Sequence, residues 1–274
     1  MHRHTAILGT AFGMLLACVG ASAAEPQSPN GAVDKSINVL ILGNSLSYVN
    51  NLPALFNAID ASQPGTTRIH ADLLAAPGGS LSERWTDGVA AQEIASGKWQ
   101  VLVLQERGGT LACLAKPQQR EEATCRASAV AHREFSELAR KHGMRVVLLG
   151  TWGPDSIWQA QLERGLRQLA GKVGADALDV GAQLRAHAKS DPATPMTQDA
   201  MGHPSLDGSL LIALSLYESL AGHRAEPKDL VLATALLPPM ADVSPKRLVS
   251  TQAQLQGDGA QTQVAAARLR ALQP

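Results

Sequence analysis

The sequence predicts an α/β fold, a mostly parallel five-stranded sheet with helices on both faces. Short runs that are apolar on both faces alternate with longer segments of helical periodicity, and such strands need cover on both sides. The first of them, Asn38-Val39-Leu40-Ile41-Leu42, stops at Gly43-Asn44-Ser45. That puts a serine at the carboxyl end of a buried strand, where open α/β sheets collect their chemistry.

The chain begins with His2, Arg3 and His4, an apolar run from Thr5 to Val19, and the small residues Ala21-Ser22-Ala23. These fit a secretory signal over residues 1–23, with the mature chain starting near Ala24. The run is too short for a permanent transmembrane span. Leu15-Leu16-Ala17-Cys18 also resembles a lipoprotein signal, which would put a lipid anchor on Cys18, although Leu16 is unusual at its place. The expected location is therefore outside the cytoplasm: periplasmic or secreted, or held at a membrane by that lipid. Residues 24–36, polar and rich in Pro, Gly and Asn, read as a flexible linker. Residues 37–222 read as the single domain, and 223–274 as a C-terminal helical extension packed on it.

Within the domain, Leu52, Leu55, Phe56 and Ile59 share one helical face, so Asn50 to Ser62 is expected as a helix. Thr67 to Leu74 reads as the second strand, Pro77-Gly78-Gly79-Ser80 as a turn, and Ala90 to Ala95 as helix closed by Gly97. Val101-Leu102-Val103-Leu104 is the clearest buried strand and leaves through Gln105-Glu106-Arg107-Gly108-Gly109. Arg126 to His142 is expected as a long helix, Met144 to Leu149 as the fourth strand, and Ser156 to Ala170 as a polar helix. A short strand follows around Ala177 to Val180. Asp191 to Ser205 reads as irregular, Leu206 to Leu220 as an apolar helix, and Val264 to Leu272 as a last helix, preceded by a loose stretch.

Charge is balanced, with 24 basic and 24 acidic residues, so no basic surface for nucleic acid is expected. Aromatic residues are only 3% of the chain, too few for a broad stacking platform. Dinucleotide binding lacks its glycine pattern after the first strand, and no His-x-x-x-His or Cys-x-x-Cys pair suggests a metal site. No cofactor is called for. Cys113 and Cys125 flank a polar insert, and an exported chain would join them as a disulfide.

A serine is a nucleophile only if a base takes its proton and a third group orients that base. Of the histidines beyond the signal, His132, His142 and His223 read as surface or partly packed, and His70 lies in a strand. His203 differs, because Gln198-Asp199-Ala200-Met201-Gly202-His203-Pro204-Ser205 is a loop that can fold its own acid onto the imidazole. The alternative for His203 is a turn histidine beside a helix cap.

These residues together resemble the SGNH, or GDSL-like, hydrolase superfamily over Val39 to about Gly222. Leu40-Ile41-Leu42-Gly43-Asn44-Ser45 resembles its first block, with Asn44 where Asp is commoner. Gly78-Gly79-Ser80 resembles the second, and Asp199, His203 and Pro204-Ser205-Leu206-Asp207-Gly208 the last. The resemblance implies a three-layer, flavodoxin-like α/β/α sandwich. It also implies Ser45 as nucleophile, His203 as base, Asp199 as its orienting acid, and Gly79 N–H as an oxyanion donor.

Two departures bear on the site. The usual Gly-x-Asn-Asp block after the third strand is replaced by Leu104-Gln105-Glu106, so the Gln105 amide is assigned the oxyanion role of the missing Asn, the alternative being a residue that satisfies backbone groups at the strand end. The acid also stands four residues before the histidine, where three is usual. Asp199 then reaches through one extra residue, or a backbone carbonyl orients His203 in its place. Glu106 and Arg107 read as a solvated strand-end pair, with a pocket-shaping role as the alternative, and Trp152 as a rim residue placed either to contact an acyl or sugar ring or for ordinary packing.

The resulting expectation is a serine esterase acting on a small-molecule or glycan ester. Small acyl groups such as acetyl on a carbohydrate or envelope glycan are implied by the resemblance alone. An O-acyltransferase using the same acyl-enzyme, and a non-catalytic envelope-binding protein on this scaffold, are the alternatives. Oligomeric state leaves no signal in the sequence.

Overall fold

The structure, a computed structural model, describes residues 36–65 and 67–273. The expected signal, the Cys18 anchor and all of the linker except Ser36 lie outside the described residues.

The chain enters the centre of a parallel sheet as β1 (Ser36–Gly43), turns through the short helix α1 (Ser45–Tyr48) and continues as α2 (Leu52–Ser62). Strand β2 (Arg68–Ala75) follows, with α3 (Leu81–Asp87) and α4 (Val89–Ala95) after it. Next come β3 (Val101–Gln105), α5 (Ala123–Lys141), β4 (Arg145–Leu149), α6 (Ser156–Val173) and β5 (Asp176–Leu178). Helices α7 (Val180–Ser190) and α8 (Leu206–Ala221) close the domain. The strand order is β2-β1-β3-β4-β5, all parallel, the flavodoxin-like order. The order reverses between β1 and β3, which opens a crevice at their carboxyl ends.

Alternate residues of the same strands face two separate cores. Val39, Ile41, Val103 and Val147 pack with α2, α7 and α8, while Leu40, Leu42, Leu102 and Leu148 pack with α3 to α6. Because both faces are covered, the strands carry no polar alternation, which is why they read as continuous apolar runs. Each fully buried Leu or Ile contributes about 1.5–3 kcal/mol of transfer free energy.

Two expectations about elements are corrected. Helix α7 begins where the last strand was expected to continue. Only Val180, Gly181 and Leu184 of it are buried, too few to show a helical face in sequence. The C-terminal part is not mainly helical. It is an antiparallel pair, β6 (Leu230–Leu232) and β7 (Thr262–Val264), with two single 3-10 turns between them and the short helix α9 (Ala266–Leu272) after. Long-range bonds hold the irregular stretch: Tyr48 Oη donates to Pro239 O at 2.6 Å, and the Arg84 Nη2 donates to Pro245 O at 2.7 Å.

Candidate active site

Ser45 is half-buried and is the first residue of α1, directly after β1. Asn44 caps that turn: its Oδ1 accepts the Leu46 N–H at 3.0 Å, and its Nδ2 donates to Gly79 O at 3.0 Å. Neither the Ser45 hydroxyl nor its N–H has a hydrogen-bond partner among the described residues. A serine at the start of a helix turn, with its own N–H uncommitted, has a donor beside its hydroxyl oxygen.

His203 lies in a tight hairpin. Gln198 N–H bonds His203 O at 2.8 Å, and Gly202 N–H bonds Asp199 O at 3.1 Å. Within it, Asp199 Oδ1 accepts the backbone N–H of Met201 at 3.0 Å and of His203 at 3.1 Å. Its Oδ2 meets His203 Nδ1 at 2.6 Å. The extra residue in the loop is absorbed by this Asx turn, and the carboxylate, rather than a backbone carbonyl, orients the ring. The hydrogen bond from His203 is the main cause that holds the Asp199 pKa below its ordinary value, helped by the two backbone N–H groups. Trp152 braces the hairpin by donating from Nε1 to Gly202 O at 2.8 Å.

The serine turn and the histidine hairpin are tied together by Asn50. Its Nδ2 donates to Pro204 O at 2.9 Å and to Ser209 Oγ at 3.0 Å. Asn50 and Asn51 both sit in the left-handed region, with φ of 57° and 59°, where Asn is the side chain most often tolerated after Gly. This double turn separates α1 from α2 and aims Asn50 at the hairpin. The helix expected from Asn50 therefore starts at Leu52, and the Asn-Asn dipeptide before Leu-Pro is the signal for that turn.

The turn Ala76-Pro77-Gly78-Gly79 approaches from β2. Pro77 leads, Gly78 has φ of +65°, and Gly79 N–H closes onto Ala76 O at 2.9 Å. Here an expectation is redirected: the Gly79 N–H is spent on its own turn, and Gly79 presents its carbonyl to Asn44. Gln105 is redirected too. Its Oε1 accepts the Asn44 N–H at 3.1 Å and the Ser47 hydroxyl at 2.7 Å, while its Nε2 donates to Glu106 O. The amide oxygen therefore braces the serine turn, and one of the two Nε2 hydrogens is committed to the strand-end carbonyl of Glu106. Glu106 is not solvated: it is 0% exposed, whereas its neighbour Arg107 is exposed. His132 likewise is buried in α5, not partly packed at the surface.

Comparison with solved structures settles the architecture. A candidate SGNH hydrolase from Slackia heliotrinireducens superposes with a TM-score of 0.53 and 24% identity, covering 68% of this chain and 100% of that one. A catalytic mutant of an acetylxylan esterase from Geobacillus stearothermophilus superposes with a TM-score of 0.51 and 12% identity, covering 70% and 97%. The chain has the SGNH hydrolase fold. No family model and no curated protein matches it.

Ser45 follows β1, Gly79 follows β2 and Gln105 ends β3, so these three stand at the carboxyl edge of the sheet, while Asp199 and His203 lie on the loop before α8. Cys113 and Cys125 form a disulfide with Cα atoms 6.0 Å apart, fastening the segment after β3 to the start of α5. Beside it a cleft of about 490 Å³ is lined by Ser80, Arg107, Thr110, Ser128 and Trp158, among others. No helix among the described residues is long and apolar enough to cross a membrane, and no group of three or more metal-ligating side chains is found among them.

Proposed function

We propose that this chain is a serine ester hydrolase in which Ser45, His203 and Asp199 form the catalytic triad. The observation that carries the reading is the Asp199–His203 bond of 2.6 Å in a hairpin that Asn50 ties to the Ser45 turn. A carboxylate on Nδ1 leaves Nε2 as the basic nitrogen, the tautomer a general base needs. Ser45 Oγ attacks the ester carbonyl as His203 Nε2 takes its proton, and the imidazolium then protonates the departing alcohol. Ser45 N–H, at the start of α1, receives the oxyanion. Water, deprotonated by His203, releases the acyl group. Asp199 remains ionised throughout, stabilising the imidazolium.

The substrate class we propose is a small acyl ester, such as acetyl, on a carbohydrate. Two features support it: the cleft bearing Trp158 and Arg107 beside the Gly79 turn, and the acetylxylan esterase among the structural neighbours. Export fits the Cys113–Cys125 disulfide, since such bonds persist in oxidising compartments.

The test is hydrolysis of an aryl acetate together with labelling by a fluorophosphonate. Wild type should turn over the ester and gain one phosphonyl group on Ser45, located by peptide mass. Ser45→Ala and His203→Ala should lose on the order of 10³-fold or more in kcat. Equal rates in these variants and wild type would sink the triad. Preference is read by comparing acetylated oligosaccharides with long-chain aryl esters, and faster cleavage of the latter would overturn the substrate assignment.

A further inference from the structure

Strand β3 leaves the sheet through Gln105 and Glu106, and each buried side chain holds a different part of the site. Gln105 Oε1 accepts the Asn44 N–H, a group that can only donate, so the oxygen must be the atom on that side. The approach is close enough to exclude a side chain at Gly43, where a Cβ would lie 2.7 Å from both Gln105 Oε1 and Ser47 Oγ. Glu106 Oε1 accepts the backbone N–H of Leu81 at 3.1 Å and of Arg107 at 2.7 Å, and Oε2 accepts the Ser128 hydroxyl at 2.6 Å. Ser128 is fixed in turn on α5, where its carbonyl accepts from His132 Nδ1 at 2.8 Å. Burial holds the His132 pKa below its ordinary value, against the opposing pull of Glu106, so the ring stays neutral with its proton on Nδ1.

Leu81 opens α3, two residues after Gly79, and Gly79 O takes the side-chain N–H of Asn44. The connections therefore close on themselves. From Gln105 the path runs by hydrogen bond to Asn44, by hydrogen bond to Gly79, along the chain to Leu81, by hydrogen bond to Glu106, and along the chain back to Gln105. The geometry points to this closed ring as the device that sets the Ser45 turn against the Gly79 turn, with Asn44, Gln105 and Glu106 as positioning residues for the reaction. The proposal rests on Ser45 as nucleophile.

It also gives Asn44 a reason. The bond to Gly79 O needs a side-chain donor, and an aspartate at 44 would set a carboxylate oxygen against that carbonyl. The Leu-Gln-Glu exit of β3 and the asparagine before Ser45 are thus two parts of one arrangement.

A double-mutant cycle tests it, read in kcat and KM on an aryl acetate with the thermal midpoint measured in parallel. Asn44→Asp and Glu106→Leu should each lower kcat by about 10- to 100-fold at nearly unchanged KM, as expected when reacting groups lose register. The double variant should lose little more than either single one, because a ring already open cannot be opened again. Glu106→Gln, whose oxygen still accepts both backbone N–H groups and whose amide meets a Ser128 hydroxyl able to accept, should recover most of kcat. If Glu106→Leu does not fold, Gln105→Leu replaces it in the cycle. Folded variants that keep kcat, or losses that multiply in the double variant, overturn the ring. Ser45→Ala separates the two claims: if it stays active, the nucleophile assignment fails and the ring proposal goes with it. If it is inactive while Asn44→Asp and Glu106→Leu keep wild-type kcat, only the ring fails.

Discussion

Amidating Asp199 tests the hairpin more sharply than deleting it. Asp199 Oδ1 is claimed by the backbone N–H groups of Met201 and His203, at 3.0 and 3.1 Å, so in Asp199→Asn the amide oxygen belongs there. The amide nitrogen then takes the place of Oδ2, 2.6 Å from His203 Nδ1. Two donors cannot share that contact, so the imidazole must shift its proton to Nε2. A protonated Nε2 cannot accept the proton of Ser45. Turning the amide over restores the ring but sets its NH2 against two backbone donors, so neither orientation is productive. The expected loss in kcat is on the order of 10³- to 10⁴-fold, the size found when the aspartate of a serine protease triad is amidated. Aryl acetate hydrolysis near neutral pH and the rate of fluorophosphonate labelling should fall together, while the thermal midpoint shows the variant folded. An Asp199→Asn enzyme within about threefold of wild type in kcat would refute the tautomer argument and return the orienting role to another group.

Three further outcomes follow from the same geometry. Asn50→Gly keeps the left-handed backbone but removes the bonds to Pro204 O and Ser209 Oγ. It should reduce kcat about tenfold with a stability loss of about 1 kcal/mol, measured by urea unfolding. Removing the disulfide by Cys113→Ala with Cys125→Ala opens a loop whose ends are 12 apart in sequence, which should cost about 3 kcal/mol in the chain-entropy account. For a domain of this size the thermal midpoint then falls by roughly 6–12 °C, and an unchanged midpoint would show the loop held by its packing alone. The third concerns pH. The Asp199 pKa lies below the ordinary 3.8 in the folded protein, so its stabilising contribution is complete above that value and is lost as pH falls through the lowered one. Wild type should lose more stability than Asp199→Asn between pH 5 and pH 3, as read by chemical unfolding at each pH. Parallel losses would place the carboxylate outside the linkage.

Much of this was legible before any coordinates. The five strands announced themselves because both faces of each are buried, which removes polar alternation and leaves unbroken runs such as Val101-Leu102-Val103-Leu104. Ser45 was legible because a strand ended in Gly-Asn-Ser, and Asp199 with His203 because one short loop holds both. The departures from expectation share a cause. Helix α7 buries only three residues, and the C-terminal stretch is held by contacts more than a hundred residues away, such as Tyr48 to Pro239. Glu106 looked like a surface charge because nothing in its neighbours says that Leu81 and Ser128 will deliver donors to it.

The sequence by itself determined the sheet, its layers, and which residues are the candidates for nucleophile, base and acid, since these depend on local periodicity and on one short loop. Tertiary structure alone decided how they are held. An amide at 105 has a donor end and an acceptor end, and only the arrival of Asn44 and Ser47 on one side chooses between them. That arrival makes the Gln105 oxygen a brace for the serine turn, while Gly79 offers Asn44 its carbonyl because its N–H is spent within its own turn. Hydrogen-bond direction is a property of the pair, and a chain read one residue at a time contains only half of it.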